Sequence, residues 1–240
     1  MTKTIQIETR DDRGRFDVYV AEPVGTPRAA IVVIQEIFGV NAGIRAKADA
    51  FAADGYLALA PDLFWQIAPG IQLDPDVPAE MQQALGLMGQ FDQDAGVRDI
   101  EATIRTARTM LNDAQTGTGL TAKVGAVGYC LGGRLAFMTA ARTDVDASVG
   151  YYGVGIDGLI GEKHAIANPV LLHVPQEDHF VDKDAQARMH AGLDDHPKVT
   201  LHDYPGEDHG FAAQFGKRRS EDAARLADER TAAFFAEHLG

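Results

Sequence analysis

The chain is poor in cysteine: it has one, Cys130, in 240 residues. A single cysteine cannot form an intramolecular disulfide, and it cannot supply the several thiolates of a cysteine-rich zinc site. Such sparse use is typical of a reducing compartment, so we expect a cytoplasmic protein. The first residues, Met1 to Glu8, contain no apolar signal-peptide core, and we expect no secretion signal.

Long apolar runs and an excess of basic residues are also missing. The longest continuous apolar stretch, Ala29 to Ile34, is far shorter than the ~20 residues that a helix needs to cross a bilayer. With 22 basic and 35 acidic residues, the formal net charge is −13. Nucleic acids and anionic membranes bind basic surfaces, so we expect neither as a partner. We expect a small-molecule partner and a monomer or weak homo-oligomer.

Strands and helices alternate along the chain after an opening hairpin. Apolar and polar residues alternate at 5–7 and at 16–20, on either side of a turn at Asp11 to Gly14. Further strands are predicted at 29–34, 56–60, 123–127, 147–151, 170–174 and 199–204, and helices at 41–55, 79–91, 97–111, 134–142, 183–193 and 220–239. This alternation implies a mainly parallel sheet covered on both faces. We predict one α/β domain over residues 1–240, with the antiparallel hairpin at one edge.

The strongest chemical signal is the segment Gly128-Tyr-Cys130-Leu-Gly132-Gly133. It follows an apolar strand and opens a helix, which is the context of the Gly-x-Ser-x-Gly nucleophile elbow, here with cysteine in place of serine. The glycines remove side chains where the turn brings backbones together, and the start of the helix favours negative charge on sulfur. A cysteine beside glycines can also be a small buried residue at a tight turn, so the motif alone leaves both interpretations open.

Two further candidates follow strands later in the chain. Asp178 comes soon after the strand that ends at 174, and His209 soon after the strand that ends at 204. In parallel α/β sheets, ligand-binding and catalytic groups lie at the carboxyl ends of strands. The order nucleophile, acid, histidine is that of the α/β hydrolases. Glu177, Asp182 and Asp208 remain alternative acids, since spacing does not decide between loop carboxylates.

The aspartates and histidines of these two loops could instead bind a metal ion. Asp178, His179, Asp208 and His209 lie in two short segments and could be imagined as a ligand cluster. No His-x-x-x-His or helical Glu-x-x-His spacing supports such a site. We therefore expect neither a metal ion nor an organic cofactor.

Glu36 ends the apolar strand that begins at Ala29. Many α/β hydrolases place an oxyanion-hole loop at the end of this strand, and a carboxylate there would point toward the nucleophile. A solvated glutamate at a strand end is an equally good interpretation of the residue by itself. The loop aromatics Phe64 and Trp65 are open to a similar choice between lining a pocket and simple packing.

Together these stretches resemble dienelactone hydrolase, a family of cysteine enzymes with the α/β-hydrolase fold. The resemblance covers nearly the whole chain, and the stretches that carry it are Gln35–Gly39, Ala60–Leu63, Val127–Gly133, Val149–Val154, Glu177–Val181 and Asp208–Phe211. It implies a hydrolase that cleaves an ester or lactone through a thioester intermediate. It also implies Cys130 as the nucleophile, His209 as its base, Asp178 as the residue that orients the histidine, and Glu36 as a contact of the cysteine.

The same resemblance implies how the substrate is held. The backbone amides of Ile37 and Leu131 would form the oxyanion hole. We expect the substrate to contact Phe38, Phe64, Trp65, Gln66, Tyr152 and Phe211.

Two positions depart from the best-known members of the family, which bind a substrate carboxylate with two arginines. At the matching positions this chain has Gln66 and Ala213. The chemistry is therefore better supported than an anionic substrate. Two alternatives follow: a carboxylesterase or thioesterase for neutral acyl substrates, and a non-hydrolytic protein that uses Cys130 for redox sensing or ligand binding.

Overall fold

Eight strands form one sheet in the computed structural model, which describes residues 1–240. The strands are β1 (Thr2–Glu8), β2 (Arg15–Ala21), β3 (Ala30–Ile34), β4 (Leu57–Pro61), β5 (Val124–Tyr129), β6 (Ala147–Tyr151), β7 (Val170–Pro175) and β8 (Val199–Tyr204). Their order across the sheet is β1-β2-β4-β3-β5-β6-β7-β8. The pairs β1–β2 and β2–β4 are antiparallel, and every other neighbouring pair is parallel. The predicted mainly parallel sheet with an edge hairpin is confirmed.

The hairpin forms where the alternating pattern predicts it. Ile5 pairs with Val18 and Ile7 pairs with Phe16, so the apolar residues of both strands share one face. The backbone between the strands is closed by a hydrogen bond of 2.9 Å from the Thr9 amide to the Gly14 carbonyl.

Six α-helices cover the sheet. They are α1 (Ala42–Ala53), α2 (Pro78–Met88), α3 (Gln93–Ala114), α4 (Leu131–Arg142), α5 (Lys183–Leu193) and α6 (Glu221–Leu239). Asn41 caps α1 by accepting a hydrogen bond from the Ile44 amide. None of the helices combines the length and apolar character that crossing a membrane requires.

The helices differ from the prediction most at the start of α3 and in a 3-10 helix that was not predicted. Helix α3 begins four residues before the predicted 97, because Asp92 caps it by accepting from the amides of Asp94 and Ala95. Sequence analysis missed a 3-10 helix at Ile156–Ala165, whose only buried residue is Ile156. A segment with one buried side chain carries no apolar periodicity from which it could be predicted.

Apolar side chains fill both faces of the sheet. Within β3 all five residues are buried, and they alternate between two clusters. Val32 and Ile34 belong to the cluster under α3 and α4, whereas Ile31 and Val33 belong to the one under α1 and α6. This is the pattern of a central parallel strand. The loops that follow β3, β5, β7 and β8 leave from the same edge of the sheet, which brings their side chains together.

Candidate active site

Cys130 occupies a strained turn between β5 and α4. Its φ of 57° makes it one of three non-glycine residues with positive φ, a conformation that costs roughly 1–3 kcal/mol and clusters at functional sites. A Cβ added at Gly128 would overlap the Gly132 carbonyl, and one at Gly132 would overlap the Ile34 carbonyl. The glycines of the motif are therefore required by close backbone approach. The Cys130 amide donates to the Tyr151 carbonyl at 3.0 Å, which fixes the turn to β6.

Asp178 and His209 form a buried pair beside this turn. The Nδ1 atom of His209 lies 2.9 Å from an Oδ atom of Asp178, and each side chain is only 1 % exposed. The other carboxylate oxygen accepts the Phe180 amide at 2.8 Å. Because an ionised carboxylate only accepts hydrogen bonds, the proton of this pair lies on Nδ1. This arrangement directs the second imidazole nitrogen, Nε2, away from the acid.

The free nitrogen of His209 is poised for proton transfer. Nε2 is buried and makes no hydrogen bond of normal geometry. Burial disfavours the imidazolium, but the Asp178 carboxylate and the nearby Cys130 sulfur outweigh it and raise the pKa of His209 to about 10. A histidine with one nitrogen anchored and the other open beside a thiol can take up or release a proton at the sulfur.

The alternative acids are engaged elsewhere. Asp182 caps α5 by accepting from the Ala185 amide, and Glu177 pairs with Lys183 on the surface. Asp208 accepts from the amides of His179 and His209 and lies 2.8 Å from the His179 ring. Among the four candidate carboxylates, only Asp178 contacts the His209 ring.

Three of the four candidate metal ligands lie close together in the structure. Asp178, His179 and Asp208 place candidate ligand atoms within 4.8 Å of one another, with His179 and Asp208 exposed. Their oxygens are already occupied by His209, by His179 and by backbone amides. The hydrogen bonds therefore account for the cluster as the support of the histidine loop.

Glu36 lies two residues after the end of β3 and is close enough to His209 to feel its charge. It is partly exposed to a cavity, yet enough protein surrounds it that burial raises the pKa of its carboxyl group, against the opposing charges of His209, Arg218 and Lys47. Its backbone is fixed by Gln35, whose side chain donates to the Glu36 carbonyl and accepts from the Leu63 amide at 3.0 Å. Gln35 was missed by sequence reasoning, although its polar side chain ending a fully apolar strand was a usable signal.

The two amides expected in an oxyanion hole are free of backbone partners. The Ile37 amide donates no hydrogen bond within the chain. Leu131 is the first residue of α4, where helical N–H groups have no intrahelical acceptor. Both residues flank the Cys130 turn in the fold, since β3 and β5 are paired through Ile34 and Gly128.

A cavity of about 520 Å³ opens beside Glu36. Its lining residues come from the start of α1, from the segments at 72–76 and 212–216, and from the ends of β5 and β6. Glu36, Lys47, Tyr129, Tyr152 and Ala213 are among them. The Tyr152 hydroxyl is buried and has no hydrogen-bond partner, so this wall presents an uncommitted polar group.

The structure places the six predicted substrate contacts in different surroundings. Tyr152 lines the cavity, and the Phe211 ring packs against the Tyr152 ring with centroids 5.8 Å apart. Phe38 and Phe64 are buried in the apolar core.

The remaining two contacts lie away from the cavity, against the edge hairpin. Trp65 donates to Asp99 at 2.9 Å, and Gln66 accepts from Arg13. Conversely, Phe180 was not predicted. Its ring stands edge-on to His209 at 4.8 Å, and it remains 47 % exposed.

The sheet order and the strand–turn–helix around Cys130 define the class of the protein, the α/β hydrolases. A provisionally named dienelactone hydrolase of Klebsiella pneumoniae, solved by crystallography, superimposes with a TM-score of 0.79 at 24 % identity, over 99 % of each chain. The sequence profile of the dienelactone hydrolase family matches residues 16–239.

Curated relatives agree with the profile. A protein of Azospirillum brasilense, provisionally named a carboxymethylenebutenolidase, is 46 % identical over 98 % of this chain and 99 % of its own length. The carboxymethylenebutenolidase of Pseudomonas putida is 39 % identical over 98 % and 97 %. The chain belongs to the dienelactone hydrolase family and is a dienelactone hydrolase-like ester hydrolase.

Proposed function

We propose that the chain hydrolyses a small ester or lactone with Cys130 as nucleophile, His209 as acid and base, and Asp178 as the residue that orients the histidine. The observation that carries this proposal is the state of His209. One of its nitrogens is anchored on a buried carboxylate at 2.9 Å, whereas the other is buried, unbonded and next to the only thiol in the chain. A structural histidine would have both nitrogens satisfied.

The first half of the reaction forms a thioester. The Cys130 thiolate attacks the substrate carbonyl, and the electron pair of the C=O bond moves onto oxygen. The amides of Ile37 and Leu131 stabilise this oxyanion, at about 3–4 kcal/mol for a donor of this kind. Collapse of the tetrahedral intermediate breaks the C–O bond, and the protonated Nε2 of His209 gives its proton to the departing alkoxide.

The second half releases the acid. Neutral His209 takes a proton from water as the water oxygen attacks the thioester carbonyl, and the C–S bond breaks when the new intermediate collapses. His209 keeps the proton that it took from water, and the departing sulfur takes back the thiol proton that Glu36 accepted, so the enzyme returns to its starting state. Asp178 keeps Nδ1 protonated throughout and stabilises the imidazolium.

Glu36 controls the resting thiol in this proposal. A carboxylate beside Cys130 disfavours the thiolate by like-charge repulsion, which protects the single cysteine from oxidation. When substrate enters, Glu36 accepts the thiol proton and the thiolate is released for attack. A carboxylate that makes no hydrogen bond in the unliganded chain is suited to such a change of partner.

The test is substitution of the nucleophile. We expect Cys130→Ala to abolish turnover of a neutral aryl ester. We expect Cys130→Ser to be much slower than wild type, because the higher pKa of serine makes its proton harder to remove. Circular dichroism would establish that both variants fold. Full turnover by Cys130→Ala would end the proposal.

Neutral acyl substrates are the second candidate, favoured by the composition of the cavity. Of the two positions that depart from the family, Ala213 lines the cavity and Gln66 does not. The cavity rim is acidic at Asp74, Asp76 and Glu80. An anionic substrate would meet these carboxylates before it reached the nucleophile.

Basic side chains could reverse this preference. Arg45 and Lys47 line the cavity, but they are held by Gln72 and Asp228. Arg134 and Arg219 are held by hydrogen bonds, whereas the Arg218 guanidinium makes neither a hydrogen bond nor an ion pair and packs beside Gly210. The test of this preference is to compare kcat/KM for an anionic lactone and its methyl ester in wild type, Ala213→Arg and Arg218→Met.

Preference for the methyl ester in wild type, with gain of anion turnover only in Ala213→Arg, supports the neutral class. Gln66→Arg is the matched control and should change nothing, because position 66 lies away from the cavity. Preference for the anion in wild type, lost in Arg218→Met, would contradict the neutral class and support an anionic dienelactone instead.

A further inference from the structure

Lys47 is a buried lysine that the proposed reaction does not use. Its side chain, on α1, is only 6 % exposed, and its Nζ lies 3.0 Å from both carboxylate oxygens of Asp228 on α6. Lysine is almost never buried without a partner, because removing an ammonium from water is costly. The pair links α1 to α6 through two residues that are 181 positions apart in the chain.

The ammonium end of this pair is turned toward the candidate active site. Lys47 lines the same cavity as Glu36, whereas Asp228 does not line it. The ring of Tyr129, at the end of the strand that leads to Cys130, lies 5.3 Å from Nζ. Asp228 is 40 % exposed, on the far side of Lys47 from the cavity.

Further hydrogen bonds tie the pair to the backbone that holds the nucleophile. The Tyr151 hydroxyl lies 3.1 Å from Asp228 and 2.6 Å from the hydroxyl of Thr231. The carbonyl of the same Tyr151 accepts the Cys130 amide. Lys47 is therefore fixed relative to the turn that holds Cys130.

Several other groups surround Glu36. Tyr129 faces it from the end of β5, next to Cys130 in the chain, and Tyr152 from the residue after β6. Burial raises the pKa of both tyrosines, which keeps them neutral. His209 and Arg218 face it from the segment between β8 and α6. The positive charges near Glu36 are thus His209, which changes its proton during turnover, Arg218, which is partly exposed, and Lys47, which is buried and held.

We infer that Lys47, anchored by Asp228, is a positioning residue whose fixed positive charge keeps the Glu36 carboxylate ionised so that it can accept the thiol proton. The inference rests on the role proposed for Glu36 above. A buried charge acts in surroundings of low dielectric and is screened little by salt, whereas an exposed one is largely screened. Burial alone would keep the Glu36 carboxyl group protonated over more of the pH range. The positive charge of Lys47 opposes this effect by favouring the carboxylate.

Two substitutions should move the acid limb of the kcat/KM–pH profile in opposite directions. Lys47→Met removes the cation, so Glu36 loses its proton less readily and the limb moves to higher pH, by about one unit. Asp228→Asn removes the anion that offsets Lys47, so the limb moves to lower pH, by about half a unit. A purely structural pair would lower activity in both variants without opposite shifts.

Three controls separate the charge from other effects. Lys47→Arg keeps the charge and should restore the wild-type limb. Arg218→Met removes the partly exposed cation and should give a shift that vanishes in 1 M salt, whereas the Lys47→Met shift persists. Lys163→Met removes a lysine bound to the Gly192 carbonyl, outside the cavity, and should leave the profile unchanged.

If Lys47→Met does not fold, the shift to lower pH in Asp228→Asn still decides the question, because Asp228 is 40 % exposed and asparagine has the same shape.

A double variant tests whether the effect runs through Glu36. In Glu36→Gln, which retains a low rate, adding Lys47→Met should produce no shift of the limb. A shift that persists in this background, the absence of any shift in wild type, or shifts of the same sign in both single variants would overturn the inference. Cys130→Ala is assayed in parallel with an aryl ester: turnover there would overturn the proposed function itself, whereas its loss together with an unshifted Lys47→Met overturns the inference on Lys47 alone.

Discussion

The carboxyl end of the sheet and the edge hairpin use buried polar groups in opposite ways. At the hairpin, Asp99 accepts from both Trp65 and Arg13, and Arg13 also binds Gln66 and Asp11, so each of these side chains has a partner. Near Cys130, by contrast, His209 Nε2 and the Tyr152 hydroxyl are buried without partners. Unsatisfied buried groups cost free energy. Arg28, Tyr56, Gln115 and Thr139 also bury a polar atom without a partner elsewhere in the chain, but Tyr152 and His209 lie together, with ring centroids 5.0 Å apart, next to the only thiol. This combination marks the carboxyl end of the sheet as the candidate place for chemistry.

The largest effect should come from breaking the histidine pair. We expect His209→Ala to remove nearly all turnover and Asp178→Asn to lower kcat by up to ~10⁴. An asparagine whose oxygen still accepts from Phe180 turns its NH2 group to Nδ1 and donates to it, which favours the wrong tautomer of the imidazole. Steady-state kinetics on an aryl ester measure both. Asp182→Asn is the matched control, since this residue only caps α5. A greater loss there than in Asp178→Asn would show that the wrong acid has been chosen.

Removing the second carboxylate should cost less. We expect Glu36→Gln to lower kcat by about 100-fold, the usual contribution of one proton-transfer group, while the far-ultraviolet circular dichroism stays that of the wild type. Glutamine has the same size but cannot accept the thiol proton. Wild-type turnover in this variant would refute the role of Glu36.

The raised pKa of His209 should appear as a dependence of stability on pH. The folded value is about 10, above the ordinary ~6.5. Stabilisation from the imidazolium is therefore fully present below pH ~6.5 and is lost as the pH rises through about 10. We expect the free energy of unfolding in urea to fall by about 1–3 kcal/mol more across this window in wild type than in His209→Gln. Parallel curves for the two proteins would contradict the assignment.

The smallest effect on activity is expected at the hairpin. Trp65→Phe removes the hydrogen bond to Asp99 and leaves one buried carboxylate oxygen unpaired, so the free energy of unfolding should fall by about 1–3 kcal/mol. Turnover should stay within about twofold of wild type, because the residue does not reach the cavity. A large change in KM with unchanged stability would contradict this prediction and indicate that Trp65 contacts the substrate.

Local patterns in the sequence predicted most of the fold. The order of strands and helices, the edge hairpin and the helix cap at Asn41 all agree with the structure. The turn glycines around Cys130 were also readable, because their role depends on neighbours within a few residues. The 3-10 helix at Ile156–Ala165 escaped, since it buries too little to leave a pattern.

Contacts between distant segments could not be predicted in the same way. Spacing left four carboxylates open as partners of His209, and only the folded loop singles out Asp178. Phe64, Trp65 and Gln66 follow a strand that ends near the site, but their side chains turn into the core or toward the hairpin. The pairing of a buried lysine with a carboxylate 181 residues later leaves no trace in local sequence.

The central claim is that catalysis proceeds through a thioester on the only cysteine of the chain. The most direct measurement is intact mass followed by peptide mapping, after rapid acid quenching of the enzyme with an aryl ester whose acyl group is hydrolysed slowly. The account predicts a mass increase equal to one acyl group, located on the peptide that contains Cys130, removed by hydroxylamine and absent from Cys130→Ala. An acyl group on another residue, or continuous turnover with no acylated enzyme at any quench time and an active Cys130→Ala, would contradict it.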